Sequence, residues 1–157
     1  METVFSNSVV EHIPNLGLVL QEISRILKPG GEFIFTTHAP SSRKFWGAMF
    51  LKKAGLAPIA RLYEKIFLEQ LQLRTLWSYK RWSAELKSAG LQIEEFKTTT
   101  PPVSAFWYEI FMPATFIQNR IPVLKKIPLA KIVFMIIRPD LKSVENGRNF
   151  FFRARKI

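Results

Sequence analysis

The chain has 157 residues, with 23 Lys and Arg against 12 Asp and Glu and no cysteine. Its 48% apolar content, 14 Phe and 4 Trp suit one domain with a real core, and are too aromatic for a solvated, disordered segment. The missing cysteines exclude a disulfide framework, a thiol nucleophile and Cys-ligated zinc or iron–sulfur chemistry, while the net charge of +11 points to an acidic partner, an anionic surface or plain solubility.

That charge is uneven. Residues 1–40 hold Arg25 and Lys28 against Glu2, Glu11, Glu22 and Glu32, and all the excess basic charge lies beyond them. Two regions with different tasks are expected. Only two histidines and one aspartate, Asp140, are present, which limits acid–base and metal chemistry. The first 15 residues have neither the basic nor the apolar region of a secretory leader. The longest uncharged run, residues 98–108, contains Pro101 and Pro102 and falls short of the roughly 20 apolar residues a span needs. A cytoplasmic chain is expected, with a peripheral membrane contact left open.

Residues 3–6 (TVFS) read as a buried strand. Leu16, Val19, Leu20, Ile23, Ile26 and Leu27 recur at the spacing of one helical face. Asn15 is placed to cap that helix, and Lys28-Pro29-Gly30-Gly31 to end it. Residues 32–37 (EFIFTT) follow as a second strand, giving a parallel β–α–β unit expected to be buried on both faces. Residues 43–56 and 59–77 read as two helices rich in Lys, Arg, Phe and Leu, divided near Gly55 and Pro58. Ser78 is a cap for a helix carrying Tyr79, Trp82, Leu86 and Ala89 on one face and ending at Gly90. A strand over 91–98 comes next. Residues 101–138 are cut by five prolines, and a last strand runs from 147 to 157 behind an Asn146-Gly147 turn.

The segment VFSNSVVEHI at 4–13, then LKPGG at 27–31 and FIF at 33–35, resembles the second half of the catalytic domain of class I S-adenosylmethionine-dependent methyltransferases. AELKSAGL at 84–91 resembles the family's next helix. The resemblance implies an α/β fold. It would be a partial Rossmann-like methyltransferase sheet, strands four to seven, with helices over both faces and a helical, lid-like insertion at 41–77 in a single domain of residues 1–157. The last strand would pair antiparallel. The family's glycine-rich G-x-G-x-G turn is absent from the chain. A truncated chain is therefore expected, with one edge of its first strand open and only one wall of the cofactor crevice present.

On this resemblance Ser6, Asn7 and Ser8, at the carboxyl end of the first strand, would bind S-adenosylmethionine, the implied cofactor. The alternative for Asn7 is a plain turn. His12 is a candidate general base, since imidazole titrates near neutrality. In related enzymes Glu-x-x-Glu-His is associated with a divalent metal, but Ser8 stands where the first Glu would be, so no metal is expected. The bland reading of Glu11-His12 is a helix-entry pair. His38, in the loop after the second strand, is the other candidate catalytic residue, and would face an acceptor substrate or simply solvent.

The function implied is methyl transfer to a small-molecule acceptor, with a lipid-like one suggested by the aromatic and basic stretch at 43–56. That stretch also suits an anionic membrane surface. No nucleic-acid partner is expected, because the basic residues are scattered and no recognition motif appears. A dimer, or a complementing N-terminal half, would complete the site. The competing reading is a non-catalytic module whose basic, aromatic surface binds a membrane or a partner chain.

Overall fold

The computed structural model describes residues 1–44, 46–100, 104, 107, 109 and 147–157. Strand β1 (Thr3–Asn7) leads through a 3-10 turn at Val10–His12 into helix α1 (Leu16–Ile26), and β2 (Glu32–His38) follows. A second 3-10 turn, Pro40–Arg43, precedes α2 (Trp46–Lys53) and α3 (Ala57–Leu71). Then come α4 (Tyr79–Ser88), β3 (Leu91–Thr99) and β4 (Asn149–Lys156). The four strands form one sheet in the order β1-β2-β4-β3. β1 and β2 are parallel, and β4 lies antiparallel between β2 and β3.

The β1–α1–β2 unit forms where the apolar periodicity puts it. Leu16, Leu20 and Leu27 are buried on one side of α1. The helix stops because Pro29 cannot continue it and Gly30 turns at φ +78°, a left-handed conformation cheap only for glycine. Asn15 occupies the N-cap position but makes no side-chain cap bond. At α4 the cap is made, with Ser78 Oγ accepting from Arg81 N at 3.4 Å.

One continuous core results. Phe33 and Phe35 of β2, Phe152 and Ala154 of β4, Trp82 and Leu86 of α4, and Leu16 and Leu20 of α1 are all buried in it. Phe35 is its centre, with ring centroids 4.5 Å from Phe33 and 4.9 Å from both Trp82 and Phe152. Both α1 and α4 join this cluster, so among the described residues the expected helices over both faces are seen on one. On the other side of the sheet Arg155 pairs with Glu32 and Glu94, and Arg153 with Glu95.

The expectation of a β–α–β unit buried on both faces is corrected for β1. Phe5 is 67% exposed, because its pairing with Ile34 turns it away from Phe33 and Phe35 to the face that no described helix covers, on a strand at the edge of the described sheet. The helix expected over 59–77 is also shorter. It ends at Leu71, where Gln72 takes a left-handed conformation, and 72–77 is a loop. Its start takes in Pro58, which the first turn of a helix tolerates. What is expected over residues 101–138, and of the Asn146 half of the turn, lies outside the described residues, apart from the isolated helical positions 104, 107 and 109.

Helices α2 and α3 form a hairpin around a small core of their own, made of Ala48, Ala60 and Phe67 with Leu51, Tyr63 and Leu68 against them. The Tyr63 hydroxyl lies 3.5 Å from Glu109 Oε2, which also accepts from Gly47 N at 3.1 Å. Burial first, and then the negative charge of Glu109, push the Tyr63 phenol up from 10.0 to about 12. A raised folded-state value means the folded form holds its proton longer than the unfolded one. This contribution to stability is complete below pH 10 and is lost as the pH rises towards about 12. Spectroscopic titration of tyrosinate should therefore show a late component that Tyr63→Phe removes. Superimposable curves for the two proteins would contradict the assignment.

Candidate active site

The carboxyl ends of β1 and β2 lie side by side, with Asn7 paired to Thr36. In open α/β sheets this end is where ligands bind. Directly opposed side chains on paired strands share a face, and here the Thr36 hydroxyl donates to Asn7 Oδ1 at 2.5 Å. That bond engages Asn7 Oδ1 and leaves the NH2 group of this exposed residue as the donor it can offer. The Ser8 N–H donates to Thr36 O at 3.2 Å and to Thr36 Oγ1 at 3.1 Å, and Ser8 itself sits at φ +50°. Its exposed hydroxyl is then what Ser8 offers a ligand. Ser6 pairs with Phe35, so by alternation it faces away from Asn7.

His38, two residues beyond Thr36, shares the face of Thr36 and Asn7. Its Nδ1 lies 2.7 Å from Glu11 Oε1. Glu11 is completely buried, and its Oε2 has no hydrogen-bond partner among the described residues. Glu11 and His12 thus part company. The His12 Nδ1 donates to the Gln72 carbonyl at 3.1 Å, while the Glu11 side chain turns inwards to His38. Adjacent residues in a 3-10 turn point in different directions, which is why the Glu11-His12 pair does not converge. Of the residues singled out in the sequence, Asn7, Ser8 and His38 come together at this rim. Ser6 lies on the opposite face, and His12 is exposed and engaged with the loop after α3.

The rim also anchors the helical hairpin. Arg74 N and Thr75 N both donate to the Glu11 carbonyl at 2.9 Å, and the Thr75 hydroxyl donates to the Ile13 carbonyl at 3.2 Å. At the other end, Ser41 and Ser42 hydroxyls donate to the carbonyls of Gly147 and Arg148. Both ends of the α2–α3 hairpin are therefore tied to the carboxyl end of β2 or its neighbours. A separate recess of about 380 Å³ lies between α4 and β3, lined by Tyr79, Ser83, Lys87 and Ile157 among others. It opens where Leu91 begins β3, the end of the sheet opposite the rim, and has no acid–base pair.

Sequence reasoning missed Thr36 as the residue that holds Asn7, and Glu11 as the partner of His38. The parallel register of β1 and β2 was the available signal for Thr36. No local signal links Glu11 to His38, because the chain folds back 27 residues later to bring them together.

A family model described as a methyltransferase domain matches residues 1–35. The fold is a partial methyltransferase fold. Over its whole described length it resembles Haemonchus contortus phosphoethanolamine N-methyltransferase 2 in complex with S-adenosyl-L-methionine. The two are 20% identical with a TM-score of 0.58, over 99% of this chain and 33% of that one. The [4+2]-cyclase SpnF is 15% identical with a TM-score of 0.54, over 99% and 49%. An O-methyltransferase from a polyketide multienzyme of Brevibacillus brevis, in complex with S-adenosyl-L-homocysteine, is 13% identical with a TM-score of 0.54, over 99% and 43%. Comparison with curated proteins gave no match.

The chain thus spans between a third and a half of these solved chains. The resemblance to class I methyltransferases read from residues 4–35 is borne out, as is the α/β fold it implied. At such identities the likeness extends to fold alone, and the cyclase shows that one fold hosts different chemistries.

Proposed function

We propose that this chain supplies one wall of an S-adenosylmethionine-dependent methyltransferase site acting on a small-molecule acceptor. The observation that carries the reading is the exposed Asn7 carboxamide, whose Oδ1 is held by Thr36 at the carboxyl end of β1 so that the NH2 group is the donor it can offer. Asn7 and the Ser8 hydroxyl would hold the cofactor from this side. The Asn7 NH2 donor suits a ligand's carboxylate, and the Ser8 hydroxyl can accept from its amine. S-adenosylmethionine, when bound, supplies a methyl group on a sulfonium, a leaving group that needs no acid. The work left to the protein is positioning and water exclusion. The α2–α3 hairpin, tied to the rim at both ends, is the element that would close over an acceptor.

The sequence contains no G-x-G, so the contacts of that turn would be missing and weak cofactor binding is expected. A site that keeps about half the binding free energy of a micromolar one falls to a dissociation constant of about 1 mM. Calorimetric titration with S-adenosylhomocysteine should accordingly give weak binding that Asn7→Leu removes. No heat from protein shown to be folded, or binding that Asn7→Leu leaves unchanged, would contradict the reading.

A second reading is favoured by the outer side of the hairpin. Ile59, Leu62 and Ile66 form an exposed apolar stripe on α3, with Arg61 and Lys65 beside it, and Phe50 and Lys53 are exposed on α2. We propose this stripe, with residues 43–56, as a contact for an anionic membrane surface. Among the described residues no helix is long and apolar enough to cross a membrane, so the contact would be peripheral. Sedimentation with anionic vesicles should show salt-sensitive binding. Ile59→Ser with Leu62→Ser should weaken it at least about tenfold, because each buried side chain is worth about 1.5–3 kcal/mol. Equal binding to neutral vesicles at high salt would contradict it.

A further inference from the structure

We infer that Glu11 and His38 form a proton-accepting dyad, in which His38 takes a proton from an acceptor bearing an O–H or N–H group and Glu11 is the positioning residue. The inference rests on the methyl-transfer reading and adds to it the chemical class of the acceptor. A protic oxygen or nitrogen nucleophile needs a base as it is methylated, whereas a thioether has no proton to give.

The geometry carries it. His38 sits at the end of β2 on the face shared by Thr36 and Asn7, where an acceptor would meet the cofactor wall. Its Nδ1 faces the buried Glu11 carboxyl at 2.7 Å, and its side chain is 25% exposed. No described residue bonds its Nε2. An ionised Glu11 has only acceptors to offer. Nδ1 must then carry the hydrogen, and Nε2 must present its lone pair to the rim. The acceptor's proton moves to Nε2, the bonding pair stays on the oxygen or nitrogen that attacks, and the imidazolium left behind is stabilised by the Glu11 carboxylate. A carboxylate that fixes the tautomer of a catalytic histidine acts in the same way in the serine hydrolase triad.

Glu11 Oε2 gives the arrangement its test. A buried carboxyl oxygen with no described donor is costly, and a neutral Glu11 would lessen that cost by donating its own proton to His38 Nδ1. The hydrogen of the imidazole would then sit on Nε2, and the base would be gone. The two arrangements differ in which ring nitrogen is protonated, so nitrogen NMR of protein labelled at its two histidines separates them. The variant His12→Gln assigns the signals. Neutral His38 is expected in the Nδ1–H tautomer with Nε2 bare, and Glu11→Gln should shift it towards the Nε2–H form. An Nε2–H tautomer in the unsubstituted protein would overturn the dyad, whatever becomes of methyl transfer.

The activity arm uses S-adenosylmethionine with phosphoethanolamine as the N–H acceptor and catechol as the O–H acceptor. His38→Asn should lower kcat about 10²–10⁴-fold, with KM for S-adenosylmethionine unchanged. An undiminished kcat would overturn the base. Absence of S-adenosylhomocysteine binding would instead count against the methyl-transfer reading, and the tautomer measurement decides the dyad independently.

Discussion

Replacing Glu109 by alanine is expected to lower the unfolding free energy by about 3–5 kcal/mol, because it strands a buried guanidinium. Glu109 is 5% exposed, and its Oε1 lies 3.4 Å from Arg148 Nη1, whose side chain is only 12% exposed. Burial pulls the Arg148 guanidinium below its ordinary value, and Glu109 opposes that pull. Guanidinium does not give up its proton in proteins, so the charge stays when its partner leaves. Arg148 also donates to the Lys44 carbonyl, and Glu109 accepts from Gly47 N and from Tyr63. The loss therefore spreads from the start of β4 to both helices of the hairpin. Urea unfolding followed by circular dichroism measures it. A double variant, Glu109→Leu with Arg148→Met, should recover much of the loss, since well-packed apolar replacements avoid the stranded charge. A single-variant loss below about 1 kcal/mol would show that the cluster contributes little.

Trp82→Ala is the second large effect, at about 3–5 kcal/mol. Trp82 is fully buried and links α4 to the sheet through Phe35 at 4.9 Å and Phe152 at 5.7 Å. It also holds the loop after α3 through Trp77, at 4.9 Å and edge-on, with Arg81 over the Trp77 ring at 4.6 Å. Truncation opens a cavity that rigid aromatic neighbours cannot fill. Trp82→Phe gives the contrasting result. The buried Nε1 has no acceptor among the described residues, so phenylalanine removes a donor that they leave unsatisfied while keeping most of the ring. Its cost should be no more than about 1.5 kcal/mol. Equal losses for the two variants would contradict a packing role.

The elements that local chemistry dictates were legible in the sequence. The apolar face of α1, the Pro-Gly-Gly stop after it and the Ser78 cap of α4 each depend on residues within a turn or two. What escaped depends on distant chain. α3 ends at Leu71 rather than Trp77, and the residues beyond it are held by the turn at Val10–His12 through the Glu11 carbonyl. A helical pattern cannot report a partner 60 residues away. β1 reads as apolar on both faces, yet Phe5 is exposed on the face that no described helix covers. The place of β4 between β2 and β3 follows from pairings across more than a hundred residues, such as Glu32 with Arg155.

The candidate site divides along the same line. Asn7, Ser8 and His38 could be singled out because strand ends are where parallel sheets bind ligands. Thr36 and Glu11 could not, because each acts through a neighbour that only the fold brings near. His12 drew attention by its place beside Glu11, and the fold gives its ring to Gln72.

The most direct measurement is the map of backbone amide shifts as S-adenosylhomocysteine is added to the folded 157-residue protein. If the rim of β1 and β2 is the cofactor wall, the shifts should gather at residues 6–8 and 36–38 and disappear in Asn7→Leu. Shifts gathered instead at Tyr79, Lys87 and Ile157 around the α4–β3 recess, or none up to the solubility of the ligand, would contradict the account.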